Sequence, residues 1–440
     1  MSYDFPATRS EITRRQLEKL SRLLGAVEVS NPFWQPRLAA AGWSAGRVAL
    51  LEPTEASLRG LLDQLPIVRK AELAADQALH PPYGSNLTFP VASYSRLHQT
   101  SGTTTGQPMR WLDTPESWGW MMSCWRQIYA LMGLRPDDRL AFPFSFGPFL
   151  GFWAGFEGAA QLGNLCIAAG GMSSEARLKL LADNQVTILA CTPTYALRLV
   201  EVARQQRIDL RESSVRAILV AGEPGGNIPA TRELMESSWN ARVFDHWGMT
   251  EIGPLASETR GDPGSLAMLE TECIAEVIDP STNQPVAEGG QGELVITNLG
   301  RTGSPQLRYG TGDIVSPCWR EVAGEPPFLR LPGGVLGRTD DMWIIRGNNV
   351  FPSSLEAIIR SSAEVAEYQL VVEAHRQMRE ITIRLECHAD VAPAARQTCA
   401  ESIRKTIKER HHFEARVELV EAGTLPRHEM KAKRIVMLGG

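Results

Sequence analysis

None of the seven cysteines (124, 166, 191, 273, 318, 387 and 399) forms a Cys-x-x-Cys pair with another. An odd, dispersed set is neither a disulfide framework nor a zinc signature, so reduced thiols and no structural zinc are expected. Neither sign of charge is in large excess. A net charge of −5 over 440 residues gives no footing for a nucleic-acid or anionic-membrane partner. No apolar run approaches the ~20 residues that a membrane-spanning helix needs. The opening residues, MSYDFPATRSEITRR, lack the apolar core of a secretory signal, so a cytoplasmic protein is expected. Internal repeats and low-complexity tracts are missing as well.

What is present has an ordered texture. Ile12, Leu17, Leu20, Leu23 and Leu24 recur at helical spacing over residues 9–28, and Asn31-Pro32 ends that helix. A second helix is expected to about Ala41. Gly42-Trp43-Ser44-Ala45-Gly46 matches the G-x-S-x-G of a hydrolase elbow. That motif needs a strand before it, and here a helical, Ala-rich stretch precedes it, so it reads as a loop after a helix. From Leu140, short apolar runs (139–144, 165–169, 187–191, 217–220) alternate with helical segments (175–184, 195–206). This alternation predicts a largely parallel sheet covered by helices. After Gly253, the runs 273–278, 292–297 and 306–309 alternate with Gly/Pro turns and read as antiparallel strands. Beyond Gly337, a strand–helix–strand–strand–helix–strand order predicts a small α+β unit.

Six stretches carry chemistry. Ser101-Gly102-Thr103-Thr104-Thr105-Gly106 sets three hydroxyls between two glycines, a nest of donors suited to phosphate oxygens. No Gly-Lys-Ser/Thr closes it, so it is not a Walker A loop. Gly222-Glu223-Pro224 follows a strand-like run, where open α/β sheets bind ligands. Asp245-His246-Trp247-Gly248-Met249-Thr250-Glu251 follows the strand 242–244 and puts an aromatic plane, a hydroxyl and a carboxylate in one turn. Tyr309-Gly310-Thr311-Gly312-Asp313 sets an acid in a Gly-rich turn. Gly337-Arg338-Thr339-Asp340-Asp341 precedes Arg346-Gly347-Asn348, and Lys431 lies near the chain's end. Taken singly, Glu251 reads as an acid near a helix start, Asp313 as a turn residue and Lys431 as a solvated charge.

In this order, and with Asn31-Pro32-Phe33-Trp34 and Arg96-Leu97-His98 upstream, the chain resembles the adenylate-forming enzymes: acyl-CoA synthetases, nonribosomal adenylation domains and luciferases. It is most similar to their phenylacetate-CoA ligase branch. The resemblance implies an α/β fold with a large N-terminal domain of mixed sheets and helices, residues 1–337. A small mobile α+β domain, residues 338–440, would turn on a hinge at Asp340. It implies that Ser101 to Gly106 hold the β- and γ-phosphates of ATP, and that Glu223-Pro224 and Trp247 sandwich the adenine. Asp245 would accept from the adenine amino group. Thr250 would touch the α-phosphate, and Glu251 would bind Mg²⁺, a cation that asks for oxygen ligands. Asp313 would hold the ribose with Arg338 nearby, Lys431 would bridge the reacting groups, and Gly347 would let a pantetheine arm pass.

The resemblance also implies an acid pocket between the aromatic stretch and the 247–253 turn. Its candidates are Phe142, Phe144, Ser145, Phe146, Phe149, Phe152 and Trp153, facing Gly222, His246, Gly248, Met249, Ile252 and Gly253. So many rings favour a flat aryl acid of benzoate or phenylacetate size, with anthranilate the best single guess; Ser145 or His246 would meet a ring substituent. ATP, Mg²⁺ and coenzyme A are the expected small molecules. A carrier-protein phosphopantetheine or a cofactor alcohol are rival acceptors, and branch relatives are often homodimers. The chain departs from the family pattern at Gln107, where a lysine is usual, and at Gly310, where an arginine is usual. Arg308 is a candidate to serve in place of the latter. A serine hydrolase at Ser44 and a nucleotide-binding regulator are the rivals from other classes.

Overall fold

The computed structural model describes residues 3–100, 108–144, 146–339, 341–345, 348–375, 378–428 and 432–438. Five helices come first: α1 (Arg9–Ser30), α2 (Gln35–Ala41), α3 (Ala45–Ala49), α4 (Glu55–Leu62) and α5 (Lys70–Leu79). Thr8 caps α1 by accepting from the Glu11 amide, and the buried face carries Ile12, Leu17, Leu20, Leu23 and Leu24. Gly42 closes α2 at φ 64°, and Ser44 caps α3 by accepting from the Arg47 amide. Ser44 is therefore a helix cap with no strand before it, and the hydrolase reading ends there.

A hairpin of β1 (Arg96–Gln99) and β2 (Arg110–Asp113) leads into α6 (Pro115–Met132). Then follow β3 (Arg139–Phe142), α7 (Gly151–Gln161), β4 (Leu165–Ala168), α8 (Ser174–Asp183), β5 (Ile188–Cys191), α9 (Pro193–Gln206), β6 (Ala217–Ala221), α10 (Pro229–Trp239) and β7 (Arg242–Met249). Proline opens α6, α9 and α10, where its missing amide costs no hydrogen bond. Next are β8 (Gly253–Glu258), β9 (Ser265–Met268), β10 (Cys273–Ile278), β11 (Gly292–Asn298), β12 (Tyr309–Val315), β13 (Arg330–Pro332) and β14 (Gly337–Arg338). The central sheet runs β13-β9-β8-β7-β6-β5-β3-β4. Strands β7, β6, β5, β3 and β4 are mutually parallel, and β8, β9 and β13 extend the sheet antiparallel. A second sheet, β10-β11-β12-β14, is antiparallel.

Two expected boundaries move. Asp245–Met249 lies on β7 rather than in a turn, because β7 continues between β6 and β8, with His246 opposite Ala221 and Ser257. Asp313 likewise sits on β12, not in a turn. Polar and glycine residues interrupt the apolar pattern in both stretches, while the neighbouring strands supply the hydrogen bonds that keep them extended.

The chain ends with β15 (Trp343–Ile345), β16 (Asn348–Val350), α11 (Pro352–Arg360), β17 (Val365–His375), β18 (Met378–Cys387), α12 (Pro393–His411), β19 (Arg416–Val420) and β20 (Ile435–Leu438). Its sheet runs β19-β18-β17-β20. Trp343, Ile345, Leu355, Ile383 and Ile407 belong to a core of their own, separate from the two cores of the preceding residues. Gly337–Arg338 still pairs with β12, so the expected 337/338 boundary falls inside that short strand. Among the described residues no helix is long and apolar enough to cross a membrane.

Candidate active site

The C-terminal end of β7 gathers the chemistry. Trp247 Nε1 donates to Asp313 Oδ2 at 2.8 Å, and Arg338 Nη1 donates to Asp313 Oδ1 at 2.7 Å. The arginine arrives because Asp313 on β12 and Arg338 on β14 are direct cross-strand partners. Gly312, at φ 77°, keeps the approach open: a Cβ there would stand 3.2 Å from the guanidinium. Two residues before Trp247 along β7, Asp245 Oδ2 accepts from Asn227 Nδ2 at 2.6 Å. Burial, and then the Glu258 carboxylate, push the Asp245 carboxyl up to about 8.

Beyond β7, Thr250 and Glu251 form the turn into β8. Arg301, fully buried, donates to the carbonyls of Thr250 (2.5 Å) and Glu251 (2.9 Å) and grips Asp113 with two bonds of 2.7 Å. Burial alone would raise Asp113, but Arg301 and then His98 outweigh it and hold the carboxyl below its ordinary range. His98 Nδ1 stands 3.7 Å from Asp113 Oδ2, on the strand that enters Ser101–Gly106. One buried charge network therefore ties strand β1 to the Thr250–Glu251 turn. The Glu251 carboxylate is 3% exposed and pairs with Lys70 Nζ at 3.1 Å. Its hard oxygens suit Mg²⁺.

Lys70, Arg301, Asp113 and His98 escaped the sequence reading. Lys70 opens α5, and nothing local marks it; Val68 is held beside the start of β12 by two backbone bonds, to Arg308 O and from Gly310 N. Arg69 also reaches the site. Its guanidinium, paired with Glu293, fills the space a side chain at Gly310 would take. Arg308 does not serve there: it is buried against Glu276 and the carbonyls of Leu62 and Leu65. The departure at Gly310 is thus matched by an arginine from the N-terminal helical layer.

The acid side lies on the opposite face of β7 from Asp245. Phe144 packs on Phe146 (4.7 Å between ring centres) and on Phe152 (5.3 Å), and Phe146 on Trp153 (4.8 Å). Phe144, Phe146, Phe149 and Met249 are half-buried, whereas Phe142 and Ile252 are fully buried and back the wall without presenting surface. Gly222 (φ 94°) and Gly248 are open at the strand ends, and Gly253 faces Trp120. His246 on the same face packs on Trp125, its Nδ1 2.8 Å from the Ala256 carbonyl. Because a carbonyl only accepts, Nδ1 carries the proton and Nε2 is the bare acceptor.

Burial brings the His246 imidazole down to about 4, against the opposing pull of its bond to Ala256. Between an ordinary value near 6.5 and about 4, the unfolded chain binds a proton that the folded chain refuses. Stability therefore falls as pH drops through that window, by about 3 kcal/mol in all from this residue. Urea titrations at pH 7 and pH 4.5 are expected to show a smaller acid loss in His246→Phe than in the parent; equal losses would contradict the assignment.

Glu223 ties the two ends of the site together. Its Oε1 accepts from the Thr194 amide (2.9 Å) at the start of α9, and its Oε2 from the Ala432 amide (2.8 Å). The carboxylate is thus engaged with backbone, so of the expected Glu223-Pro224 pair the exposed Pro224 is the part open to a purine. Arg434 pairs with Glu367 at 2.7 Å and reaches Thr194 Oγ1 at 3.3 Å, and Arg427 bridges Glu386 and Glu201. These contacts seat the C-terminal segment against α9 and the loop after β6. Ser101, Gly102, Thr103, Thr104, Thr105, Gly106, Ser145, Asp340, Gly347 and Lys431 lie outside the described residues.

Comparison with known proteins follows this geometry. The AMP-binding enzyme family matches residues 91–301, and the AMP-binding enzyme C-terminal domain matches residues 347–437. The phenylacetate-coenzyme A ligase of Thermus thermophilus is 29% identical over 98% of this chain and 97% of its own length. The 2-hydroxyisobutyryl-CoA ligase in its postadenylation state superposes with a TM-score of 0.89 at 26% identity, covering 99% of this chain and 94% of that one. The same ligase in its thioesterification state covers as much of both chains, at 27% identity, but reaches only 0.71. Coverage is equal, so the difference lies in how the parts are arranged, and the present arrangement is more similar to that of the postadenylation structure.

Proposed function

The chain belongs to the AMP-binding, adenylate-forming enzymes, and we propose that it joins an aromatic carboxylic acid to coenzyme A through an acyl-adenylate. In the first step a carboxylate oxygen attacks the α-phosphorus of ATP and pyrophosphate leaves. In the second, the thiol attacks the acyl carbonyl and AMP leaves with that oxygen. Asp313, oriented by Arg338 and Trp247, accepts the ribose hydroxyls. Pro224 and Trp247 flank the adenine, and Asp245 meets its amino edge. Thr250 contacts the α-phosphate, and Ser101 to Gly106 receive the terminal phosphates. Mg²⁺, when bound at Glu251, would screen the repulsion between two anions brought in line. Lys431 supplies a further positive charge at the reacting oxygens. Residues 1–337 hold nucleotide and acid, and the remainder turns about Asp340 to admit the thiol past Gly347.

The observation that carries this reading is the Trp247–Asp313–Arg338 cluster beside the Thr250–Glu251 turn, with the Ala432 amide held 2.8 Å from Glu223. The half-buried rings of Phe144, Phe146 and Phe149 favour an aryl acid, with anthranilate or another benzoate-type acid first among candidates. AMP release across a panel of benzoates, aminobenzoates, phenylacetates and aliphatic acids, each with and without coenzyme A, tests it. Release that needs both an aryl acid and coenzyme A supports the reading. An adenylate formed without thioester would shift the acceptor to a carrier-protein phosphopantetheine or a cofactor alcohol. No AMP with any acid would sink it.

Lys70 gives a test that does not depend on turnover. Removing its ammonium leaves the Glu251 carboxylate buried without its partner, a loss of about 3–5 kcal/mol by the usual measure of a broken buried pair. Lys70→Met is expected to melt lower in EDTA, and Mg²⁺ is expected to recover part of the difference by taking the ammonium's place. A Mg²⁺ response equal in parent and variant would argue that the metal does not sit at Glu251.

A further inference from the structure

Resting on the reading above that an acid binds along the aromatic wall, we infer that the acid this enzyme activates carries a hydrogen-bond donor, an amino or hydroxyl group, that ends on His246 Nε2. His246 and Phe244 alternate with Asp245 along β7 and face the layer of α6 and α7, the side that holds Phe142, Phe144, Phe146 and Trp153. The imidazole is 8% exposed. Its orientation is fixed twice over. Nδ1–H is committed to the Ala256 carbonyl at 2.8 Å, and the ring rests against Trp125, with centres 4.6 Å apart. Trp125 is itself pinned, since a Cβ at Gly155 or Gly158 would come within 3.1 or 2.7 Å of it. The ring has no freedom to exchange its two nitrogens.

Nε2 has no partner among the described residues, yet it is not among the closed-off atoms, so the residue's remaining surface lies at that edge. The ring beside the imidazole is Trp125, whose indole supplies Nε2 no donor. A bare acceptor fixed in an apolar wall disfavours a wholly apolar ligand, which would strip it of water and give nothing back. It favours a ligand whose own N–H or O–H replaces that water. Two kinds of acid present such a group, ring-substituted aryl acids and 2-hydroxy aliphatic acids, and the chemistry at Nε2 is shared.

The test is the ratio of kcat/KM for matched pairs in acid-dependent AMP formation. The pairs are each aminobenzoate and hydroxybenzoate isomer against benzoate, and 2-hydroxyisobutyrate against isobutyrate; the pair with the larger ratio names the source of the donor. In the parent enzyme the best donor-bearing acid is expected to exceed its partner by about 100-fold, the scale of stripping one buried acceptor of water and leaving it unpaired. In His246→Leu that ratio is expected to collapse to about 3-fold, and His246→Gln, whose amide oxygen is again an acceptor, to restore part of it. A ratio is indifferent to general loss of activity, so a merely structural role would leave it unchanged. Equal use of both members of every pair by the parent, or a preference that survives His246→Leu, overturns the inference while leaving the ligase reading intact. No AMP from any acid removes that reading and the inference with it.

Discussion

Lys431→Ala is expected to lower acid-dependent pyrophosphate release by about 10²–10³-fold, the usual consequence of removing one preorganised charge from a developing anion. The residue precedes Ala432, whose amide is held by Glu223. Arg434, two positions further on, is locked to Glu367 and reaches Thr194, so the segment is gripped on the far side as well. On the proposed function the Lys431 ammonium would act in the first half-reaction. Synthetic acyl-AMP supplied with coenzyme A bypasses that step, and Lys431→Ala is expected to convert it to thioester within a few-fold of the parent rate. A variant impaired equally in both half-reactions would contradict the division of labour.

The second large effect is expected at Arg301. Its guanidinium and the Asp113 carboxylate are both fully buried, so Arg301→Met leaves a charge out of reach of water with only His98 beside it. Breaking such a pair costs about 3–5 kcal/mol, whereas replacing both members by apolar groups is often close to neutral. Denaturant titration should show that loss in Arg301→Met and a substantial recovery in the double variant Arg301→Met, Asp113→Leu. Activity is expected to behave differently. The double variant still lacks the bonds to the Thr250 and Glu251 carbonyls, so the turn loses its anchor and AMP formation stays low. Recovery of stability and activity together would mean that Arg301 serves the fold alone.

Much of this was legible in the sequence because it is local. The α1 periodicity, the strands of the parallel sheet and the break at Asn31 each follow from residue types a few positions apart. The order of the glycine-rich, Thr-Glu, Asp313 and Lys431 stretches was enough to point to the family. What stayed hidden is non-local. Arg69 and Lys70 read as the charged start of a surface helix, and only the backbone pairing of Val68 with Arg308 and Gly310 carries them to Gly310 and Glu251. Arg301 sits in a Gly-rich connection where a charge would ordinarily face water, yet it is the hub of a buried network. Glu223 was assigned to adenine by its place in a motif, and its two backbone partners, 29 residues before it and 209 after it, could not be seen from there. Strand β7 was cut short because Asp245, His246 and Gly248 break the apolar pattern that its neighbours make unnecessary.

The most direct measurement follows an oxygen atom. With the best acid of the panel labelled with ¹⁸O in its carboxylate, one turnover with ATP and coenzyme A should yield AMP carrying a single ¹⁸O. The attacking carboxylate oxygen stays on phosphorus when the thiol displaces the nucleotide. Labelled AMP with unlabelled pyrophosphate is the expected result by mass spectrometry. Label in orthophosphate with ADP as the nucleotide product, or thioester formed with no label in AMP, would contradict an acyl-adenylate and with it the central claim.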